Sequence, residues 1–451
     1  MRMADLRAFL DRLEADGDLV HIDRPLSPRF EIPAVLKRFD CGKALLFEKV
    51  EGYDTRIVGG VCGTRRRILK ALGVETEALY GRILHAVRNP TPCEVGDGPV
   101  KDVVEGLSLS EIPVLTHFEG DPGPYITSGV LYARSPDGSV ENVSFHRLLV
   151  LDGGRMAVRV VPRHLYRLMQ LTREAGASSL DVSISIGLHP AVMVAASAPV
   201  PFGTCEFEVA NALLGGGLRL TECEHVDALA PADAELVLEG RLRLDEEAAE
   251  GPFVDLSGTR DVERRQPIIE VVGAMHRKDY IFQALLPAGS EHRLLMGMPK
   301  EVRIWEYARN VVPTVRGVNL TPGGMGWLHC VVSFEKFREG DPKNVLMAIF
   351  AAHPSLKHAV VVDSDIDPFD LEQVEWAIAT RFRGDEDLLV IPHVRVSSLD
   401  PASDQEHELG CKVGIDATKS LLKPEEGFRG AEIPLSERVR KLLDRYAAGV
   451  H

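Results

Sequence analysis

The chain has 451 residues, of which 45% are hydrophobic and 26% charged, and its formal net charge is -15. That length allows two or three domains, and the composition is that of an ordinary water-soluble globular protein. The acid excess argues against general nucleic-acid or anionic-membrane binding, and no apolar run is long enough to span a bilayer.

The opening stretch MRMADLRAFLDRLEADGD carries acids and lacks the apolar core of a signal peptide, so the expected location is the cytoplasm. Leu6, Phe9, Leu10 and Leu13 fall at helical spacing, and Gly17 can end that helix. DLVHID and KALLFEKV read as strands, EIPAVLKRF as a helix between them, and RRRILKALG as a further helix. Residues 1–108 thus form an expected α/β unit. The cysteines, Cys41, Cys62, Cys93, Cys205, Cys223, Cys330 and Cys411, contain no CxxC pair, which leaves a zinc or dithiol site without support and reads as free thiols.

From about residue 109 the pattern turns to strands. ITSGVLYAR, VENVSFHRLLVL and RMAVRVVP are separated by the turn signals Ser135 to Gly138 and Asp152 to Gly154. SLDVSISIGL, LRLTECEHV, AELVLEGRLRL and an expected hairpin, IIEVVGAMHRKDYIFQALL, continue the series. Helices are predicted near HLYRLMQLTREAG and FEVANALLGG. Many antiparallel strands with few helices predict a barrel-like domain over 109–311. Over 312–451 the strands WLHCVVSFE, KHAVVVDSDID and DLLVIPHV alternate with the helices DPKNVLMAIFAAH and DLEQVEWAIATRFR, which predicts a mainly parallel sheet. The amphipathic ERVRKLLDRYAA closes the chain and can pack on a partner subunit. The fold class is therefore α/β with several domains. No internal repeat is present.

Three clusters carry chemistry. Asn142-Val-Ser-Phe-His-Arg147 lies on a predicted strand, whose alternation puts Asn142, Ser144 and His146 on one face and Arg147 on the other unless a bulge intervenes. A polar solvent face fits the same pattern. Glu206 opens a predicted helix, where a carboxylate either binds something or only complements the helix dipole. Glu250-Gly-Pro-Phe-Val-Asp255 sets two carboxylates around a bend, either in one pocket or in a solvated turn. GxGxxG and P-loop patterns are absent.

The clusters occur in the order seen in the UbiD-like decarboxylases. With EGPFVDLSGTRD, LMGMPKE and VVVDSDIDPFDLEQVEWAIATRFR, the chain resembles that family from about residue 3 to about residue 420. The resemblance implies an N-terminal α/β domain, a central split-barrel flavin-binding domain and a C-terminal α/β domain, assembled as a homodimer or higher homo-oligomer. It implies non-oxidative decarboxylation with prenylated FMN, supplied by a flavin prenyltransferase. Asn142, His164 and Glu206 match the residues that tie the cofactor phosphate to a divalent ion, commonly Mn2+, with K+ nearby. The spacing to His164 needs a one-residue gap, so Arg163 competes for that place. Thr127, Ser144, Arg147 and Arg163 join the implied cofactor contacts. Arg147, Glu250 and Asp255 match the catalytic Arg-Glu-acid triad, with Asp where some members have Glu, and either acid can return the proton to carbon.

Glu291-His292 to Lys300-Glu301 follows the barrel. His292 and Lys300 can converge on a second anionic group of a small carboxylic acid; otherwise they are surface charges beside a helix entrance at Pro299. PRHLY, GGMGWLH and AAHPSLKH resemble the archaeal branch, which implies an enoic acid bearing a phosphate, trans-anhydromevalonate 5-phosphate, in an archaeal-type mevalonate route to isoprenoids. The rival is a heteroaromatic or aromatic acid such as a furan or pyrrole carboxylate. A non-catalytic flavin-binding or assembly module is the reading of a different class, and the intact set Arg147, Glu250 and Asp255 speaks against it.

Overall fold

Asp5 starts the first helix, Leu6–Ala15, by accepting from the Ala8 amide, and the helix turns Leu6, Phe9, Leu10 and Leu13 inward. The computed structural model describes residues 5–447 apart from 405, 429 and 432. The helix covers a four-stranded sheet in the order Leu19–Ile22, Ala44–Phe47, Arg56–Gly59, Ile281–Ala284. The last strand overturns the expected hairpin over 268–286. Arg264–His276 belongs to a different sheet, and Ile281–Ala284 leaves it to run parallel to Arg56–Gly59. All four of its residues are buried although it edges the sheet, and buried Glu235 draws it across by accepting from the Ile281 amide at 2.9 Å.

The central sheet has nine strands, all paired antiparallel: Tyr125–Ile126, Leu148–Val150, Arg155–Val158, Arg264–His276, Leu236–Glu250, Ser179–Ile186, Val130–Arg134 and Glu141–Phe145, with Val103–Glu105 added on Arg264–His276. The expected single run 140–151 is two strands. Glu141–Phe145 ends one side of the order, and Leu148–Val150 lies six strand spacings away. Laid flat, those spacings cover about 29 Å, whereas the chain from Phe145 to Leu148 reaches about 11 Å at most. The sheet therefore curls into a half-barrel, and the break that closes it falls at His146 and Arg147. Leu131, Val182, Leu238 and Ile269, among others, fill one core.

A three-stranded sheet, Leu229–Pro231, Arg219–Glu222 and Glu94–Val95, takes the LRLTECEHV strand. The C-terminal sheet runs Val315–Leu320, His329–Phe334, His358–Asp363, Leu409–Ala417, Leu388–Arg395. It is mixed rather than mainly parallel: the two inner pairings are parallel and the two outer ones antiparallel. The edge strand Val315–Leu320 and the inner strand Leu409–Ala417 carry glycines that dilute their strand pattern.

The helix Ser290–Val311 joins the regions. It starts nine residues before Pro299 and passes through it, so no helix begins at that proline. Buried acids fasten it to the N-terminal unit: Glu291 accepts from the Gly60 and Cys62 amides, and Glu301 pairs with Arg65. The closing helix is Glu437–Ala447, with Leu442 and Leu443 half exposed. Among the described residues no helix is long and apolar enough to cross a membrane.

Candidate active site

Arg147 lies in the strand break, and three carboxylates surround its guanidinium. Nε and Nη2 donate to the two oxygens of Glu250 at 2.8 Å each, Nη1 to Asp255 Oδ2 at 3.0 Å, and Nη2 also to Asp261 Oδ2 at 2.7 Å. Phe253 lies under the guanidinium, 4.5 Å from Cζ to ring centroid. Burial works to lower the Arg147 pKa, but the Glu250 hydrogen bonds and charge, then Asp261 and Asp255, raise it above its ordinary value. Arg147 is a fixed cation.

Glu250 ends the strand Leu236–Glu250 and is fully buried, while the Asp255 side chain keeps 23% exposure in the following loop. The Tyr125 hydroxyl donates to Glu250 Oε1 at 3.2 Å and accepts from the Gly251 amide at 3.2 Å. Burial, and then Glu250, push the phenol pKa up, so Tyr125 stays a donor. The expected trio is brought together, and Tyr125 and Asp261 complete it. Neither was anticipated; for Asp261 the only signal was another acid six residues beyond Asp255.

A second centre lies on the strand Glu141–Phe145. Glu206, the first residue of the helix Glu206–Leu214, is buried and accepts from the Val143 amide at 2.6 Å and from Asn142 Nδ2 at 3.0 Å. Among the described residues no cation pairs with it. Burial pushes its carboxyl up to about 8, against those hydrogen bonds. Ser144 Oγ stands 3.1 Å from Asn142 Oδ1 and 3.0 Å from His146 Nε2. His146 Nδ1 is 2.9 Å from the Arg159 carbonyl, which can only accept, and burial lowers the ring's pKa. The neutral ring therefore donates from Nδ1 and accepts at Nε2, and it takes the single Ser144 proton. Asn142 Oδ1 is left with free lone pairs beside an unpaired carboxylate. These hard oxygen donors fit a divalent cation.

His164, the third expected member of this set, lies on a neighbouring helix. It opens the helix His164–Glu174 and meets Phe202 edge-on, with centroids 5.4 Å apart. Among the described residues no hydrogen bond or ion pair links it to Asn142 or Glu206, and no three His, Cys, Asp or Glu side chains are grouped to hold a metal. Its helix and that of Glu206 do pack against the same strand, Glu141–Phe145. Arg163 precedes the helix and is exposed to solvent. Thr127 lies just after Tyr125–Ile126 and donates to the Leu285 carbonyl at 2.6 Å.

The helix Ser290–Val311 brings the third group. His292 Nδ1 accepts from the Ala288 amide at 3.1 Å, which leaves the ring neutral with Nε2–H to donate. Burial lowers its pKa, Asp255 opposes this and Arg147 adds to it, so His292 borders the acid cluster. Lys300 lies eight residues on, about 12 Å along the axis. Burial pulls its pKa down to about 7, and Arg163 and Arg303 add to the effect. No hydrogen bond or ion pair to Lys300 occurs among the described residues. His353 faces this basic group and is held neutral, its pKa near 3 through burial and then Lys300.

Comparison with known proteins places this geometry. Residues 10–87, 93–290 and 293–417 match the N-terminal, Rift-related and C-terminal domains of 3-octaprenyl-4-hydroxybenzoate carboxy-lyase. Anhydromevalonate phosphate decarboxylase of Methanothermobacter thermautotrophicus is 45% identical over 421 residues, 93% of this chain and 98% of that protein. The UbiD-class enzyme HmfF of Pelotomaculum thermopropionicum, solved in complex with FMN, superposes with a TM-score of 0.93 at 39% identity, covering 95% of this chain and 97% of that one. An evolved dimeric form of HmfF, in complex with prFMN, gives a TM-score of 0.89 at 38% identity over 95% and 97%. The chain belongs to the UbiD family of carboxy-lyases.

Proposed function

We propose that this protein is a prenylated-FMN-dependent decarboxylase of an α,β-unsaturated acid, with trans-anhydromevalonate 5-phosphate as its substrate. One observation carries the reading: a single helix carries His292, which borders the Arg147 cluster, and the basic group Lys300, about 12 Å farther along its axis. A substrate with a carboxylate at one end and a phosphate at the other has a place for each. The similarity to the Methanothermobacter enzyme, an anhydromevalonate phosphate decarboxylase, supports the choice.

When bound, the prenylated flavin supplies the electron sink for the pair left on carbon as CO2 departs. Thr127, Asn142, Ser144, Arg147, Arg163, His164 and Glu206 would hold it, with Mn2+ at Asn142 and Glu206. Glu141 acts electrostatically on both Glu206 and Glu208, and this acidic surround supports a second cation such as K+. Arg147 pairs with the substrate carboxylate. Glu250 has both oxygens on Arg147 and Tyr125, so it orients the guanidinium. Asp255 holds Arg147 through one oxygen and is the more exposed acid, which suits it to deliver a proton to carbon as the C–CO2 bond breaks. His292 and Lys300 read the rest of the substrate, Lys300 with Arg163 and Arg303 taking the phosphate.

The three segments 1–108, 109–311 and 312–451 then serve as N-terminal, split-barrel and C-terminal units of a cytoplasmic homo-oligomer, for which half-exposed Leu442 and Leu443 supply apolar surface. A flavin prenyltransferase provides the cofactor. Protein co-produced with such a prenyltransferase should release CO2 from the enoic phosphate. Turnover of furan or pyrrole carboxylates and not of the phosphate would favour the second reading, since Lys300 can equally meet a second carboxylate. Full activity with plain FMN would sink the cofactor assignment.

A further inference from the structure

Asp261 has no part in the roles assigned above, yet it makes the shortest contact to the guanidinium, 2.7 Å from Oδ2 to Arg147 Nη2. The same oxygen accepts from Arg264 Nη1 at 3.0 Å. Oδ1 accepts from the Phe253 amide at 3.0 Å, and the Asp261 amide donates to the Phe253 carbonyl at 3.0 Å. Those two bonds close residues 253–261 into a loop. Inside it the Asp255 amide donates to the Thr259 carbonyl, the Gly258 amide donates to the Asp255 carbonyl, and Val254 bridges Arg260. The loop that carries Asp255 is thus tied to Arg147 at its base by a contact that does not use Asp255.

Arg147 has five N–H donors, and four are taken, by Glu250 twice and by Asp255 and Asp261 once each. A proton donor must turn from the guanidinium toward the reacting carbon. When Asp255 does so, both Nη1 hydrogens become free for the substrate carboxylate, but the loop loses one of its ties. We infer that Asp261 is a positioning residue that anchors the acid-bearing loop on Arg147, so that Asp255 and the substrate carboxylate can exchange places on Nη1 while the loop stays in register. The inference rests on the reading of Asp255 as proton donor.

The test compares Asp261→Asn, Asp261→Glu, Asp255→Asn and the double variant, in cofactor-loaded and cofactor-free protein. In loaded enzyme Asp261→Asn should keep its flavin absorbance, lose about 10- to 100-fold in kcat as a misplaced group does, and hold KM within about twofold; Asp261→Glu should recover part of the loss. Adding Asp261→Asn to Asp255→Asn should cost no further rate, because the anchor works only through that acid. In cofactor-free protein the peptide 253–261 should exchange its amide hydrogens faster in Asp261→Asn and not in Asp255→Asn. Wild-type kcat in Asp261→Asn, or a loss that merely follows reduced flavin content, overturns the inference; so does unchanged amide exchange, or equal loosening by Asp255→Asn. If wild type releases no CO2, the functional reading falls, and the amide-exchange arm still decides whether Asp261 is the anchor.

Discussion

The charged groups of this protein's interior are built on two opposite plans. Around Arg147 every charge has a partner: Glu250 is fully buried yet bound through both oxygens, and Asp255 and Asp261 share the same guanidinium. Glu206 is buried and Lys300 partly buried, and among the described residues neither has a partner of opposite charge. One is pushed to hold its proton up to about pH 8, and the other to give it up at about pH 7. Low dielectric makes a paired charge rigid and an unpaired one costly. The first centre is therefore complete in the folded chain. On the proposed reading, the second pair is complete only when a cation reaches Glu206 and an anion reaches Lys300.

The largest effect should come from breaking the paired centre at its least committed member. Asp255→Asn keeps the shape and a hydrogen bond but cannot carry a proton. It should lower turnover by about 100- to 10,000-fold and stop incorporation of deuterium into product from deuterated water, with flavin retained. If exchange persists at the wild-type rate, Asp255 is not the donor, and the same measurement on Glu250→Gln decides whether the roles swap.

The unpaired cation predicts a smaller and more selective loss. Lys300→Ala should raise KM for the phosphate substrate by roughly 10- to 100-fold, the worth of a charge-assisted contact of about 1.5–3 kcal/mol, and barely change it for the dephosphorylated acid. A Lys300 pKa near 7 sets the sign with pH. The ammonium is lost as pH rises through 7, so affinity should weaken above neutrality, and binding should take up a proton. Calorimetry in buffers of different ionisation enthalpy measures that uptake, and equal losses on both acids would make Lys300 a general structural residue.

The paired centre was also the more legible one. Glu250 and Asp255 stand within one short motif whose Gly-Pro bend is visible in sequence, and Arg147 follows a polar strand. Asp261 was not legible, because its partners Arg147 and Phe253 become neighbours only when the loop closes. The half-barrel was foreseen as a class, but its closure at His146 and Arg147 depends on which strands pair across the whole sheet. Pro190–Ser197 escaped notice because it is apolar all round and has no helical period. Pro299 hid the middle of the helix that carries His292 and Lys300. His164, taken from a resemblance that needed a gap, makes no hydrogen bond to Asn142 or Glu206 among the described residues, yet its helix packs, with that of Glu206, on the strand that carries Asn142.

The smallest effect concerns Glu206, and it asks whether an unpaired acid is really waiting for a cation. Its carboxyl is raised from the ordinary 4.5 to about 8 in the folded chain, with burial as the cause. Between those values the folded protein binds a proton that the unfolded chain has released. Stability of the metal-free protein should therefore be full below pH 4.5, as far as this group is concerned, and should decline as pH climbs toward 8. Mn2+ replaces the proton, so the Tm gained on adding Mn2+ should grow across the same window, reaching on the order of a few degrees. Glu206→Gln removes the titration and the cation's partner together. Its metal-free Tm should stay flatter from pH 5 to 8, should exceed wild type at the upper end, and should not respond to Mn2+. If the wild-type response to Mn2+ is the same at pH 5 and pH 8, the carboxylate is already satisfied within the fold, and Glu206 belongs with Glu250 among the paired charges.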